Sequence, residues 1–429
     1  MTAEIGILNR AGVALAADSA VTIGGDGSQK VYNSANKLFA LSKFHPVGIM
    51  IFGGADFMGV PWETIIKTYR EQLKDTKFDT LEKYGQDFFS FLISDSRFYN
   101  ENTEHKLVWT IFHNELMEIL NNEVNTLINE ITKSGEPVSN SDVEKIIVNV
   151  LEERIELLNH NVIIIDDPQF AINFANKHFD TVKEILESVI NFDLNKSVIN
   201  LFLDYYSKLI QSEYFSHNYT GLVISGYGES EIFPSLYEYH IEGIFLGHLK
   251  YQKQAPILIN SYSDETYSTA AMRPFAQREM VYSFMNGIEP SLQETIMKLI
   301  NTTIKSYGDI LIEKFSIDEN FLDVKQGIEE RLVETVHNEL DKIQSKYYSE
   351  PIMDILDILP KEELAEMAEA LVNLTSFKRR ISMDTESVGG PIDVCVITKG
   401  DGLVWIKRKH YFDSNLNYNF FNNYIRGME

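Results

Sequence analysis

A threonine at position 2, an aspartate at 18 and a lysine at 37 are the residues whose types and spacing suggest chemistry in this chain. A small second residue allows the initiator Met1 to be removed, which would leave Thr2 with a free α-amine. Such an amine has an unperturbed pKa of about 7.7 to 8.0, so it can act as general base for the hydroxyl on its own residue. A cation held close by disfavours further positive charge and favours the ionised oxygen, the part assigned to Lys37. Gly53 and Gly54 permit close backbone approach, and their amides are candidate donors to a developing oxyanion.

These residues need elements to bring them together. Ile5 and Ile7, then Val13, Leu15 and Ala17, alternate on either side of the turn Asn9-Arg10-Ala11-Gly12, which reads as a β-hairpin. With Arg10 and Ala11 at the turn centre, partner numbers sum to about 21, so Thr2 faces Ser19 and Asp18 lies beside it. A second strand pair, Lys37 to Ser42 and Val47 to Gly54, flanks a turn at His45-Pro46. Its partner numbers sum to about 91, which sets Lys37 opposite Gly54. A lone Thr, Asp or Lys at a strand end is usually a turn or surface residue; the weight lies in two hairpins placing four such residues at one end of one sheet. The Gly-Gly pair could instead suggest a phosphate loop, but neither G-x-G-x-x-G nor G-K-[ST] is present.

The run from Thr2 through Gly12-Val-Ala-Leu-Ala-Ala-Asp18, then Ser19-Ala-Val-Thr22, Asn36-Lys37-Leu-Phe and Gly53-Gly-Ala55-Asp, resembles the β subunits of the proteasome and their bacterial relatives, which are N-terminal-nucleophile (Ntn) hydrolases. The resemblance implies Thr2 as nucleophile, Asp18 and Lys37 as the charged pair that tunes it, and Gly54 or Gly53 as oxyanion donor. Thr22 and Ala55 match positions whose backbone holds an extended substrate strand. Near the C-terminus, Asp384-Thr-Glu-Ser387-Val-Gly-Gly resembles the motif whose Asp and Ser hydrogen-bond the threonine amine and hydroxyl, with Val388 as one extra residue. Ala276 and Gln277 stand where such enzymes place a serine. Lys30 is the rival to Lys37, because the spacing from Asp18 to Lys37 is a few residues longer than the family's.

The fold this implies is α+β, a four-layer αββα sandwich carrying helical insertions. Residues 2–95 would form the N-terminal half of the core, 217–289 further core strands and a helix, and 359–429 the last helix and strands. Residues 96–216 and 290–358 depart from the family and read as amphipathic helices. The first insertion could be a lid, a docking element or plain elaboration. The activity implied is that of a threonine peptidase acting on peptide or protein substrates. Two alternatives stay open: an Ntn amidase or acylase for a small amide, and a catalytically silent scaffold like the proteasome's α subunits. Family rings imply a homo-oligomer, ring or dimer.

Composition bounds the rest. The chain has 429 residues, 44% of them apolar, which suffices for a sizeable core. Its formal net charge of -25 argues against a nucleic-acid partner, which needs clustered Lys and Arg. No apolar run is long enough for a membrane helix, and Glu4, Asn9 and Arg10 break any signal-peptide pattern. A single cysteine, Cys395, fits a reducing cytoplasm and is expected to be buried mid-strand. The histidines lack metal-site spacing, His240 and His248 being too far apart to share an ion, so neither metal nor cofactor is expected.

Overall fold

The period-two apolar pattern at the start of the chain folds as the antiparallel hairpin β1 (Ala3–Asn9) and β2 (Gly12–Ala17), in which every partner pair from Glu4 and Ala17 to Asn9 and Gly12 sums to 21. The Asn9 carboxamide oxygen closes the turn by accepting the Ala11 N–H at 2.8 Å. The structure, a computed structural model, describes residues 3–23, 30–133, 137–217, 219–315, 322–382 and 388–426.

Onward from the hairpin come β3 (Val21–Ile23), β4 (Lys30–Tyr32), β5 (Leu38–Ala40), β6 (Val47–Gly53), β7 (Asp56–Phe57) and β8 (Val60–Pro61). Helices follow: α1 (Trp62–Leu73), α2 (Leu81–Ser94), α3 (Glu101–Glu118), α4 (Asn125–Lys133), α5 (Asn140–Leu158), α6 (Phe170–Val189) and α7 (Lys196–Gln211). Strands resume with β9 (Thr220–Gly226), β10 (Ser235–Phe245), β11 (His248–Lys253), β12 (Ile257–Leu258) and β13 (Ala270–Ala276). A second helical run holds α8 (Glu279–Asn286), α9 (Pro290–Phe315), α10 (Leu322–Gln344), α11 (Glu350–Ile358) and α12 (Lys361–Ile381). The chain finishes with β14 (Asp393–Thr398), β15 (Gly402–Lys407) and α13 (Tyr418–Arg426). It is a mixed α and β protein whose sheets are antiparallel.

Two compact units divide the chain: Met1–Leu38, Ile232–Ser235 and Ile257–Glu429 form one, Phe39–Glu231 and Leu236–Pro256 the other. The first contains a five-stranded sheet in the order β13-β1-β2-β14-β15. Pro274 lies in β13, an edge strand, where a residue without an N–H is tolerated. Along one face of this sheet Ile5, Ile7, Ala14, Ala16, Val394 and Val396 pack with Leu364, Ala368, Leu371 and Val372 of α12. Each large aliphatic buried in this way contributes about 1.5–3 kcal/mol relative to exposure. Helix α12 has Glu362 and Glu363 in its first turn and Lys378, Arg379 and Arg380 in its last, the arrangement its macrodipole favours.

In the second unit the sheet order is β11-β10-β9-β6-β5. Helix α1 buries Trp62, Ile65, Ile66, Tyr69 and Leu73, the helical spacing of its apolar residues. Helices α3, α5, α6 and α7 share one apolar core around Phe112, Phe174, Phe202 and Tyr206. Glu104 on α3 is buried within it, accepting from Tyr99 Oη at 2.7 Å, Lys177 Nζ at 2.8 Å and the Leu246 N–H at 3.1 Å, with His178 Nε2 at 3.1 Å. One carboxylate thereby ties α3 to α6 and to the chain just after β10.

Candidate active site

Strand direction decides which residues meet. In the first unit's antiparallel sheet, β1 and β14 begin at the edge where β2, β13 and β15 end. Ala3, Asp18, Ala276, Asp393 and Lys407 therefore collect along one rim, although they come from distant parts of the sequence.

Asp18 is the centre of that rim. Its side chain is fully buried, and both carboxylate oxygens are saturated. Oδ1 accepts the Ala3 N–H at 3.1 Å and Lys37 Nζ at 2.5 Å; Oδ2 accepts the Gly389 N–H at 2.9 Å and the Ala20 N–H at 3.2 Å. The Asp18 N–H in turn donates to the Ala3 carbonyl at 3.1 Å. A buried charge needs such compensation, since desolvation penalises it by several kcal/mol.

Lys37 is almost as buried, with 4% of its surface exposed. Its ammonium has three donors, of which Asp18 takes one. Lys30, by contrast, sits exposed on β4. Of the two lysines, Lys37 is thus the one that is buried and paired with Asp18.

The loop leading into β14 completes the surround. Ser19 donates its N–H to the Gly389 carbonyl at 3.1 Å and its hydroxyl to the Pro391 carbonyl, while the Ser19 carbonyl accepts the Ala35 N–H at 3.1 Å. Gly390 has φ +78°, and a Cβ there would lie 2.8 Å from the Asn33 Cβ. Only glycine lets these two segments approach so closely.

Three residues that the sequence reading passed over belong to the same place. Asp393, fully buried at the start of β14, accepts from Arg408 Nη1 at 3.1 Å, from the Lys409 N–H at 2.8 Å and from Lys409 Nζ at 2.5 Å. Arg408 Nη1 also donates to the Leu38 carbonyl at 2.7 Å, and its guanidinium lies 4.1 Å over the Trp405 ring. Burial pushes the Lys409 ammonium below its ordinary range; Asp393 opposes that shift, and Arg408 and Lys37 add to it. The available signal was an aspartate at a strand start read as buried, followed by three consecutive cations, Lys407-Arg408-Lys409, at the end of the next strand.

Thr2, Asp384 and Ser387 lie outside the described residues. Thr22 pairs with Val31 between β3 and β4. Gly53, Gly54 and Ala55 belong to the second unit. There Gly53 has φ +78°, and the Gly54 N–H donates to the Tyr219 carbonyl at 3.1 Å. An oxyanion could take the Gly54 amide only if that bond broke. The Gly54 carbonyl accepts the Thr220 hydroxyl at 3.1 Å, and the Ala55 carbonyl accepts the Trp62 N–H at 3.3 Å. Ala276, next to Ala3 in register, takes φ +58°, and Gln277 after it is buried.

Cys395 is buried in β14, where burial raises its thiol far above the ordinary range. His240 stands 3.2 Å from Glu238, and His248 3.3 Å from Asp167. Among the described residues no group of three or more potential metal ligands occurs, and no helix is long and apolar enough to cross a membrane.

No protein-family model matches the sequence, and no curated protein matches it. Among solved structures, Anbu (ancestral beta-subunit) from Yersinia bercovieri aligns over 99% of this chain and 94% of that one, at 10% identity and a TM-score of 0.24. These findings overturn the assignment of the chain to the proteasome β-subunit-like Ntn hydrolases. The residues that carried the resemblance are short strand-end and turn motifs, which unrelated hairpins and helix-to-strand turns also produce.

Proposed function

We propose that this protein hydrolyses amide bonds, with the Thr2 hydroxyl as nucleophile and the Thr2 α-amine as general base. The observation that supports this reading is the buried Asp18–Lys37 pair, whose carboxylate also holds the main-chain N–H of Ala3, the residue after Thr2. A cation fixed beside the start of β1 disfavours a second positive charge there, which keeps an amine unprotonated and able to accept the hydroxyl proton. Attack by the hydroxyl oxygen on a substrate carbonyl would form an acyl ester while the protonated α-amine passes the hydroxyl proton to the leaving nitrogen, which releases the amine product and restores the base. Water, activated by the same α-amine, would then release the acid and restore the threonine. Asp384 and Ser387 are proposed to hydrogen-bond the amine and hydroxyl, and the Thr22 backbone to hold an extended peptide substrate.

The chemistry requires a free amine on Thr2, because an amide nitrogen acylated by Met1 has no lone pair available as a base. Intact mass of the purified protein is expected to be short by one methionine residue. A threonine-directed electrophile should then add once per chain, and Thr2→Ala should abolish both labelling and hydrolysis of peptide substrates. Retention of Met1 throughout, or full activity in Thr2→Ala, would overturn the reading.

A further inference from the structure

Asp393 stands opposite Ala17 in the β2–β14 ladder, one residue before Asp18. Through Arg408 it also reaches the Leu38 carbonyl, one residue after Lys37. A single buried acid is therefore linked, by strand pairing on one side and by a guanidinium on the other, to the immediate neighbours of both members of the Asp18–Lys37 pair. We propose that Asp393, acting through Arg408 and Lys409, is a positioning residue that holds Asp18 and Lys37 in alignment and sets the charge around them.

The guanidinium suits the bridging part because its donors point in fixed, divergent directions, so one group can serve a carbonyl and a carboxylate together. A lysine ammonium is a compact point charge on a flexible stem and lacks that planar fork. Lys409 contributes differently, since its main-chain N–H and its ammonium both go to Asp393, which folds the chain after β15 back onto the start of β14.

Among the described residues, ionisable groups of both signs meet in this cluster. Asp18 and Asp393 stand against Lys37, Arg408 and Lys409. Glu4 is buried in the same cross-strand row, paired with Ala17, which pairs with Asp393. Cys395 on β14 stays a neutral thiol because burial raises it so far. Removing the Asp393 charge leaves Lys409 and Arg408 without their carboxylate beside Lys37. The added positive potential disfavours protonation of any base nearby.

The catalytic consequence rests on the hydrolytic reading above; the positioning itself does not, so two measurements separate them. Amide hydrogen exchange in Asp393→Asn and in Arg408→Lys should be at least about tenfold faster at Ala3, Ala20 and Gly389, whose N–H groups donate to Asp18, with Ile7 and Val13 unchanged. Exchange that stays at the wild-type rate at those three sites, or accelerates uniformly across the sheet, overturns the proposal. If hydrolysis is detected, kcat should fall about tenfold in both variants with KM within about twofold. The acid limb of the kcat/KM profile should move to lower pH in Asp393→Asn and stay in place in Arg408→Lys, which keeps the charge. An unmoved limb in Asp393→Asn overturns the charge role. A wild-type protein without hydrolytic activity defeats the hydrolytic reading alone, and the exchange rates then decide this proposal.

Discussion

Lys37 and Asp18 are each affordable in the interior only because of the other. Replacing Lys37 by Met strips the cation from a fully buried carboxylate, and breaking such a pair destabilises by about 3–5 kcal/mol. Denaturant unfolding should show that loss, and the double variant Asp18→Asn with Lys37→Met should recover much of it, because it leaves no unpaired charge. Turnover in Lys37→Ala should fall at least about a hundredfold, the lower bound of a proton-transfer contribution. Lys30→Ala, at an exposed position, should change stability by less than about 0.5 kcal/mol and leave activity intact. The reverse pattern would show that Lys30 is the site lysine. Period-two alternation and turn chemistry put Asp18 and Lys37 at the ends of strands of one sheet, whereas β2 and β5 belong to different sheets. Those local signals were silent about Asp393, Arg408 and Lys409, since a charged residue's burial depends on which distant strand lies beside it.

Two connecting pieces carry more than their length suggests. Gly390 occupies a left-handed conformation against Asn33, so Gly390→Ala is expected to cost about 1–3 kcal/mol and, by displacing the Gly389 N–H from Asp18, to lower activity as well. Thermal melts with activity assays on the same samples test this. In the helical part of the second unit, burial alone would raise the Glu104 carboxyl, but hydrogen bonds from His178, Lys177, Tyr99 and the Leu246 N–H override it and lower its pKa from 4.5 to about 2. The folded value lies below the unfolded one, so the stabilisation is fully present above about pH 4.5 and drains away as pH falls toward 2. Denaturant midpoints should therefore drop between pH 5 and pH 2.5 in the wild type, and more shallowly in Glu104→Gln. Helix positions such as α1 and α12 were readable from apolar spacing and terminal charges. The carboxylate that ties α3 to α6 was not, because nothing local marks Glu104 among the many acidic residues around it.

A formal charge of -25 spread over 429 residues means that compaction works against net self-repulsion. Raising ionic strength from about 0.01 M to about 0.15 M shortens the Debye length from about 30 Å to about 8 Å, and Tm should rise by about 2 °C or more; an unchanged or lower Tm would show that the acidic residues are locally neutralised. What the chain specified locally was its alternation: a hairpin whose register follows from the turn at Arg10-Ala11, helices at apolar spacing, and a lone cysteine in a buried strand. These are short-range preferences, set by side-chain period and by backbone geometry at turns. The rim of the first sheet was decided only in three dimensions, where β13, β1, β2, β14 and β15 take an order that the chain order does not dictate. That order sets Asp393 beside Ala17 and carries Arg408 to Leu38. It follows from long-range burial of apolar faces, and burial is what turns ordinary charged residues into a coupled cluster.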